Sequence, residues 1–448
     1  MDLPKNSLLL PISIAPLVSF RIVFGLLMFG STIRFYLKGW IDIQYIQPTF
    51  LFSFIEGLPR LNATGIYVIF ILLAVSALFI ALGWLFRISA LTFFALFTYI
   101  ELLDKTNYLN HYYFVSLISF LLTISPAGKH FSLDNFIFKR SEINMIPFYQ
   151  LFVFKLMIGI LYFYAGIAKI NSDWLLHALP LKIWLQAKYH TPIIGPLLTT
   201  NIAAYFFSWA GCIFDISIFF LLLHHKTRIW GWMALVFFHV FTSYLFPIGV
   251  FPYLMIGITI IFFSVDFHQK WQAKIRALFN NNKPEHAQVL PQTTNTVSSK
   301  NKALYYFYLV FFSFQFIIPF RYLLYPGNLF WTEQGYRFSW RVMLMEKAGY
   351  TTFWVHDNGT EIRVENDEYL TKTQIKMMST QPDMMVQYAH YLKDIYHNKG
   401  IKHPKITVEA YASLNGKGSR PYIQSNVDLG EVKDNWKNKK WILPYEQN

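Results

Sequence analysis

Only one cysteine, Cys212, stands in the whole chain, so no disulfide can close within it and packing must supply its stability. Charge is scarce too: Asp, Glu, Lys and Arg make up 14% of residues, against roughly 25% in soluble domains. Acidic residues are the rarer sign, 25 against 39 basic, and a net charge of +14 in a soluble protein would suggest nucleic acid. Here the basic residues sit in short loops between apolar blocks, where they orient helices in a bilayer, and no nucleic-acid partner is expected. Residues 1–13 lack a basic start and a small-residue cleavage site, so the amino terminus is expected to be retained.

Hydrophobic residues, by contrast, make up 54% of the chain and aromatic residues 19%. They come in blocks at 16–35, 66–85, 88–103, 112–125, 147–168, 202–223, 229–246, 251–264 and 304–320. Most are near the roughly 20 residues that cross a hydrocarbon core. The prediction is an α-helical integral membrane bundle of about nine transmembrane helices over residues 1–320. A polar Asn/Thr/Ser-rich stretch within 265–303 reads as a cytoplasmic connector.

Lys and Arg concentrate in alternate loops on the amino-terminal side, among them Lys5, Arg87, Lys139, Arg140, Lys226, Arg228, Lys270 and Lys283. The opposite loops hold only Lys38, Arg60, Lys105, Lys182 and Lys188. The positive-inside rule then predicts a cytoplasmic amino terminus, and an odd span count exports residues 321–448, to the periplasm if the bilayer is a bacterial inner membrane. In that export, Asn358-Gly359 signals a hairpin within 353–364, Met385, Tyr388, Ala389 and Leu392 share a helix face within 381–398, and 406–414 alternates like a strand. The export reads as a C-terminal extramembrane α+β domain.

Ionisable groups at membrane depth cost about 2.5–3.5 kcal/mol each even on insertion scales, so each calls for a reason. Lys169 closes LYFYAGIAKINSDW, where Ala165 and Gly166 permit close helix approach. It either snorkels to the interface or serves as a base in a desolvated site. Asp104, Asn110 and His111 lie in DKTNYLNH at an outer turn, as a capped polar turn or part of a site. Asp215 and His239 are deeper and should face the bundle interior, where the aspartate could pair with the histidine.

These segments, with FFHVFTSYLFPIGVFPY and QFIIPFRYLLYPGNLFWTEQGYRFSWRVML further on, resemble the vitamin K-dependent gamma-glutamyl carboxylases and their bacterial relatives. The order and spacing agree over nearly the whole chain, including the Tyr-x-x-Ser-Trp pattern at Tyr336, Ser339 and Trp340. The resemblance implies an enzyme of the carbon-carbon lyase class with epoxidase activity. It would oxidise a reduced vitamin K, a menaquinol-like hydroquinone, with O2 and add CO2 to a peptide glutamate, without a metal. It makes Lys169 the base and His111 the group that steadies the carbanion, with Asp104 and Asn110 supporting and His239 and Asp215 lining the quinone pocket. Ser339, Trp340, Lys417 and Arg420 are candidates for holding the glutamyl group. Membrane lipid, quinol and a Glu-containing peptide or protein are the expected partners. The chain departs from the animal enzymes at Ala168, at Met345 in place of a histidine, and at Lys347 in place of an arginine.

Two other readings stand beside this one. The chain could be a quinol epoxidase without peptide carboxylation, a reading motivated by Met345. It could also be a proton-coupled membrane carrier using Lys169, Asp215 and His239 as a relay, although no inverted repeat supports that.

Overall fold

The computed structural model describes residues 7–279 and 299–445. Residues 280–298 of the predicted connector, with Lys283, lie outside the described residues, as does Lys5. Every apolar block of the sequence falls on a helix. These are α1 (Ala15–Leu37), α2 (Ala63–Leu82), α3 (Phe86–Leu103), α4 (Asn110–Ile124), α5 (Phe148–Ala168), α6 (Asn201–Leu223), α7 (Arg228–Leu245), α8 (Phe251–Ile258), α9 (Val265–Phe279) and α10 (Ser299–Ile317). Among the described residues six helices are long and apolar enough to cross a membrane, or up to eight if each of two bent pairs is one span. The predicted nine therefore becomes six to eight by length and composition. The block at 229–246, helix α7, is not among them.

Local signals start and stop the helices. The Asn62 side chain accepts from the Gly65 N–H to open α2, and Gly83, at φ +69°, closes it. Many bundle side chains point outward and are large and apolar, such as Ile71, Ile88 and Trp230, as expected where the surroundings are lipid. Helices approach closely where glycine removes the side chain. A Cβ on Gly25 would lie 2.5 Å from the Ala81 nitrogen, and one on Gly166 would lie 2.9 Å from the Ile216 nitrogen. The second contact brings α5 against α6 beside Lys169.

The C-terminal region is α+β. Strands β3 (Lys347–Asp357), β4 (Thr360–Val364), β5 (Lys405–Leu414) and β6 (Arg420–Pro421) form an antiparallel sheet of order β4-β3-β5-β6; β1 (Pro11–Ser13) and β2 (Met145–Pro147) pair near the amino terminus. The predicted hairpin is present with Asp357 opposite Thr360, and Asn358 and Gly359 both take positive φ, the geometry Asn-Gly favours. Helix α11 (Lys372–Met378) opens with a capping box between Thr371 and Gln374. On α12 (Pro382–Asn398), Met385, Tyr388, Ala389 and Leu392 are fully buried. This core runs on into the outer end of the bundle through Phe52, Trp174, Leu185 and Leu245. Gln374 Nε2 donates to the Phe50 carbonyl at 2.6 Å and Phe50 stacks on Tyr391 at 4.5 Å, which seats the region on the bundle.

Candidate active site

Lys169 caps the C-terminus of α5, and its side chain turns inward rather than toward the interface. Its Nζ lies 2.6 Å from Asp215 Oδ2 on α6, donates to the Ala165 carbonyl at 3.2 Å and sits 5.3 Å from the Trp174 ring. The close packing at Gly166 makes this pair possible. Trp174 is itself held by its N–H to Asn171 Oδ1 at 2.9 Å and by its indole N–H to the Ser208 carbonyl at 2.9 Å. Asp215 thus pairs with Lys169 and not with His239. The histidine has its Nε2 2.6 Å from the hydroxyl of Tyr162, a partner no motif had pointed to.

All four side chains line one cavity of about 320 Å³ whose other walls are mostly apolar, among them Leu161, Phe214, Phe238 and Phe251. Phe206 and Phe237, 63% and 70% exposed, also line it, so the cavity reaches the bundle's outer face between α6 and α7.

A second cavity of about 920 Å³ lies between the bundle and the C-terminal region. The two share Leu161, Phe246, Ile248, Phe251, Val342 and Met343 as a common wall. The Phe251 ring has a histidine against it in each cavity, His239 edge-on at 5.6 Å and His111 stacked at 5.3 Å. His111 is buried, lines the second cavity, and its Nε2 has no hydrogen-bond partner among the described residues.

The second cavity is cationic. Arg34, Lys38, Lys105, Arg337, Arg341, Lys347 and Lys376 line it against Glu333 and Glu346. Some of this charge is matched: Lys347 meets Glu333 at 2.9 Å, and Lys105 and Arg337 meet Asp383 at 3.0 and 2.7 Å. Burial alone would raise the Asp383 carboxyl, but the charges of Arg337 and Lys105 overcome it and hold the group well below the usual carboxylate range. Arg34 and Arg341 form no ion pair among the described residues. They rest instead over the Trp40 and Tyr322 rings at 4.8 and 4.4 Å.

Asn110 lines this cavity and fixes its wall, donating from Nδ2 to the Arg341 carbonyl at 2.7 Å. Asp104 lines neither cavity. Its carboxylate accepts from the backbone N–H groups of Thr106 and Phe52, and burial holds it up at about 6. Ser339 and Trp340 are buried and line neither cavity; Ser339 Oγ donates to the Tyr336 carbonyl and Trp340 stacks on Tyr113 at 4.9 Å. They belong to a strained stretch in which Phe338, Trp340 and Met343 all take positive φ, which aims Val342 and Met343 into the common wall. Lys417 and Arg420 also line neither cavity and lie over the Tyr445 ring at 5.7 and 5.6 Å. Sequence reasoning missed Tyr162, Arg34 and Arg341; a charge inside the first apolar block was the signal available for Arg34.

Two family models match the chain, one after the other. The HTTM domain model matches residues 10–267, more than half of the chain. The model of the vitamin K-dependent gamma-carboxylase, lumenal domain, matches residues 300–448. No solved structure matches the chain. With a bundle model and a lumenal-domain model matched in order along one polypeptide, the chain belongs to the vitamin K-dependent gamma-carboxylase family.

Proposed function

We propose that the protein is a reduced-vitamin-K-dependent gamma-glutamyl carboxylase and epoxidase, with residues 321–448 on the periplasmic side of a bacterial inner membrane. The observation that carries this reading is the Lys169–Asp215 pair, buried on the wall of an apolar cavity that adjoins a cation-lined one.

The first cavity suits a hydroquinone ring. Its volume is in the range of small-molecule sites, its walls are apolar, and its opening at Phe206 and Phe237 faces acyl chains, where an isoprenoid tail can trail. Reduced vitamin K with O2 supplies, when bound, the strong base that a glutamyl γ C–H requires. The protein's own residues do the rest. When the pair's shared proton rests on Asp215 Oδ2, Lys169 is a neutral amine, and once it turns from the carboxyl toward the cavity its lone pair can take a hydroxyl proton. His239 and Tyr162 offer a second hydrogen-bonding pair. The aromatic walls exclude water that would quench that strong base.

Across the Phe251 wall, Arg34 and Arg341 are the groups best placed to hold the glutamyl carboxylate, since among the lining cations without an ion pair they alone carry the planar guanidinium that matches a carboxylate. The His111 Nε2 would steady the carbanion and orient CO2 there, with Asn110 holding the Arg341 backbone. This assignment moves the glutamyl role away from Ser339, Trp340, Lys417 and Arg420, and leaves Asp104 as a cap of the turn before α4.

One observation favours an epoxidase without carboxylation: Met345, which stands where the animal enzymes carry a histidine, lines the cationic cavity. Membranes given reduced vitamin K, labelled bicarbonate and a Glu-rich peptide separate the two. Label in the peptide is the expected result; epoxide without label selects the epoxidase. Lys169→Ala should lower quinol oxidation by about 10²–10⁴-fold, the usual contribution of a general base. Unchanged oxidation would remove Lys169 from the mechanism.

A further inference from the structure

A third cavity, of about 480 Å³, lies at the end of the bundle away from the C-terminal region and shares no lining residue with the two already described. It sits where α3 begins and α4 ends, and the segment 138–143 bounds it. Hydrogen bonds fix this frame. The Lys129 carbonyl accepts from Asn135 Nδ2 at 2.8 Å and from the Ile143 N–H at 3.0 Å, and the Arg140 N–H donates to the Asn135 carbonyl at 3.1 Å.

Three cations line the cavity, Arg87, Lys129 and Arg140, and none forms an ion pair among the described residues. The Arg140 guanidinium lies over the ring of Phe138, another lining residue, at 5.0 Å. One acid, Asp134, shares the wall, and it is already engaged: its Oδ1 and Oδ2 accept from the Leu85 and Phe86 N–H groups at 2.7 and 3.1 Å, which caps α3. Arg87 then falls in the first turn of α3, where the helix dipole disfavours a cation. An anion in the cavity would offset that cost.

The rim is apolar. Ile88 and Phe138 line the cavity and are 65% and 49% exposed, and Phe136 beside them is 82% exposed. Apolar side chains this bare suit the edge of the hydrocarbon, where lipid headgroups lie. A soluble anion would gain nothing from them, whereas a phosphate carrying acyl chains meets both the cations and the rim.

We propose that this cavity is a site for an anionic phospholipid of the leaflet opposite the C-terminal region. Its phosphate sits among Arg87, Lys129 and Arg140, and its acyl chains run over Ile88 and Phe138. The site is independent of the reaction proposed for the Lys169 cavity.

The test is native mass spectrometry of the full-length protein in detergent, titrated with dioleoyl phosphatidylglycerol or with dioleoyl phosphatidylcholine. Each cation near an anionic headgroup is worth about fivefold, so three cations against one carboxylate predict a preference for phosphatidylglycerol of about 25-fold. Arg87→Gln/Arg140→Gln leaves one cation against one carboxylate, and Lys129→Glu leaves two against two; either should abolish the preference. All three positions are exposed, so both variants should unfold at the wild-type temperature. Lys270→Gln/Lys274→Gln, an equal loss of charge at exposed positions of α9 outside the cavity, should keep the preference. Equal binding of the two lipids by the wild type overturns the proposal, as does a preference that survives either cavity variant or that the α9 variant lowers as far. Displacement of phosphatidylglycerol by an equal concentration of sn-glycerol 3-phosphate overturns the lipid assignment in favour of a soluble phosphate. If one cavity variant does not fold, the other decides.

Discussion

The two adjoining chambers share a wall but not a chemistry. On the Lys169 side, one ion pair and one His–Tyr pair serve a small, largely apolar space. Across Phe251, the larger chamber carries an excess of cations, and Arg34 and Arg341 are among those that form no ion pair with the described residues. Low dielectric strengthens each interaction on the first side, which is what the proposed transfer of a proton to a single pair requires. Spare cations on the second side suit an incoming anion that must shed its water. One wall of aromatic and aliphatic side chains lets both environments persist a few ångströms apart.

That contrast can be broken from either side. The largest effect is expected from Gly211→Phe. A Cβ there meets nothing within 4 Å and Gly211 lines the apolar chamber, so a ring has open space to enter it. Quinol oxidation should fall more than about 100-fold as the reacting ring is displaced, with little change in thermal stability. A variant that keeps full activity would place the quinol elsewhere.

A smaller and more selective loss is expected from Arg341→Ala. The KM for a Glu peptide should rise about 10- to 100-fold, as for a lost charge-assisted contact, while quinol oxidation without peptide stays within about twofold. If both fall together, the chambers do not divide the work as proposed.

The smallest effect concerns how the C-terminal region closes the cationic chamber. The Asp383 carboxyl is held below the usual range by Arg337 and Lys105, so its stabilising effect is complete above the unfolded-state value of about 4 and declines as pH falls below it. Asp383→Asn should cost roughly 2 kcal/mol at neutral pH, the buried-pair figure reduced because its side chain is 20% exposed. Its stability should also vary less with pH between about 4 and 2 than that of the wild type. Thermal unfolding at neutral pH tests the first expectation and unfolding across that window the second.

Much of the scaffold was legible before any coordinates. The apolar blocks, the Asn358-Gly359 turn and the buried face of α12 each follow from residues that are neighbours in sequence. Lys169, Asp215 and His239 were legible as costly residues at membrane depth, yet their partners were not. Asp215 looked like a companion for His239, and the structure gives it to Lys169, 46 residues away. Lys417 and Arg420 looked like anion binders, and they rest over Tyr445. Arg34 broke an apolar block, but the count of loop charges that orients the helices had no place for a charge inside a helix.

The sequence by itself determined insertion into a membrane, the positions of the helices, the hairpin and the amphipathic helix of the C-terminal region. These depend on hydrophobic length, period and turn chemistry within a few residues. Only the tertiary structure decided which ionisable groups pair, which face a cavity and where one chamber ends and the next begins. Those outcomes depend on where helices touch, and the contact of Gly166 with the Asp215–Ile216 backbone, the one that seats Lys169 against its carboxylate, joins residues far apart in the chain.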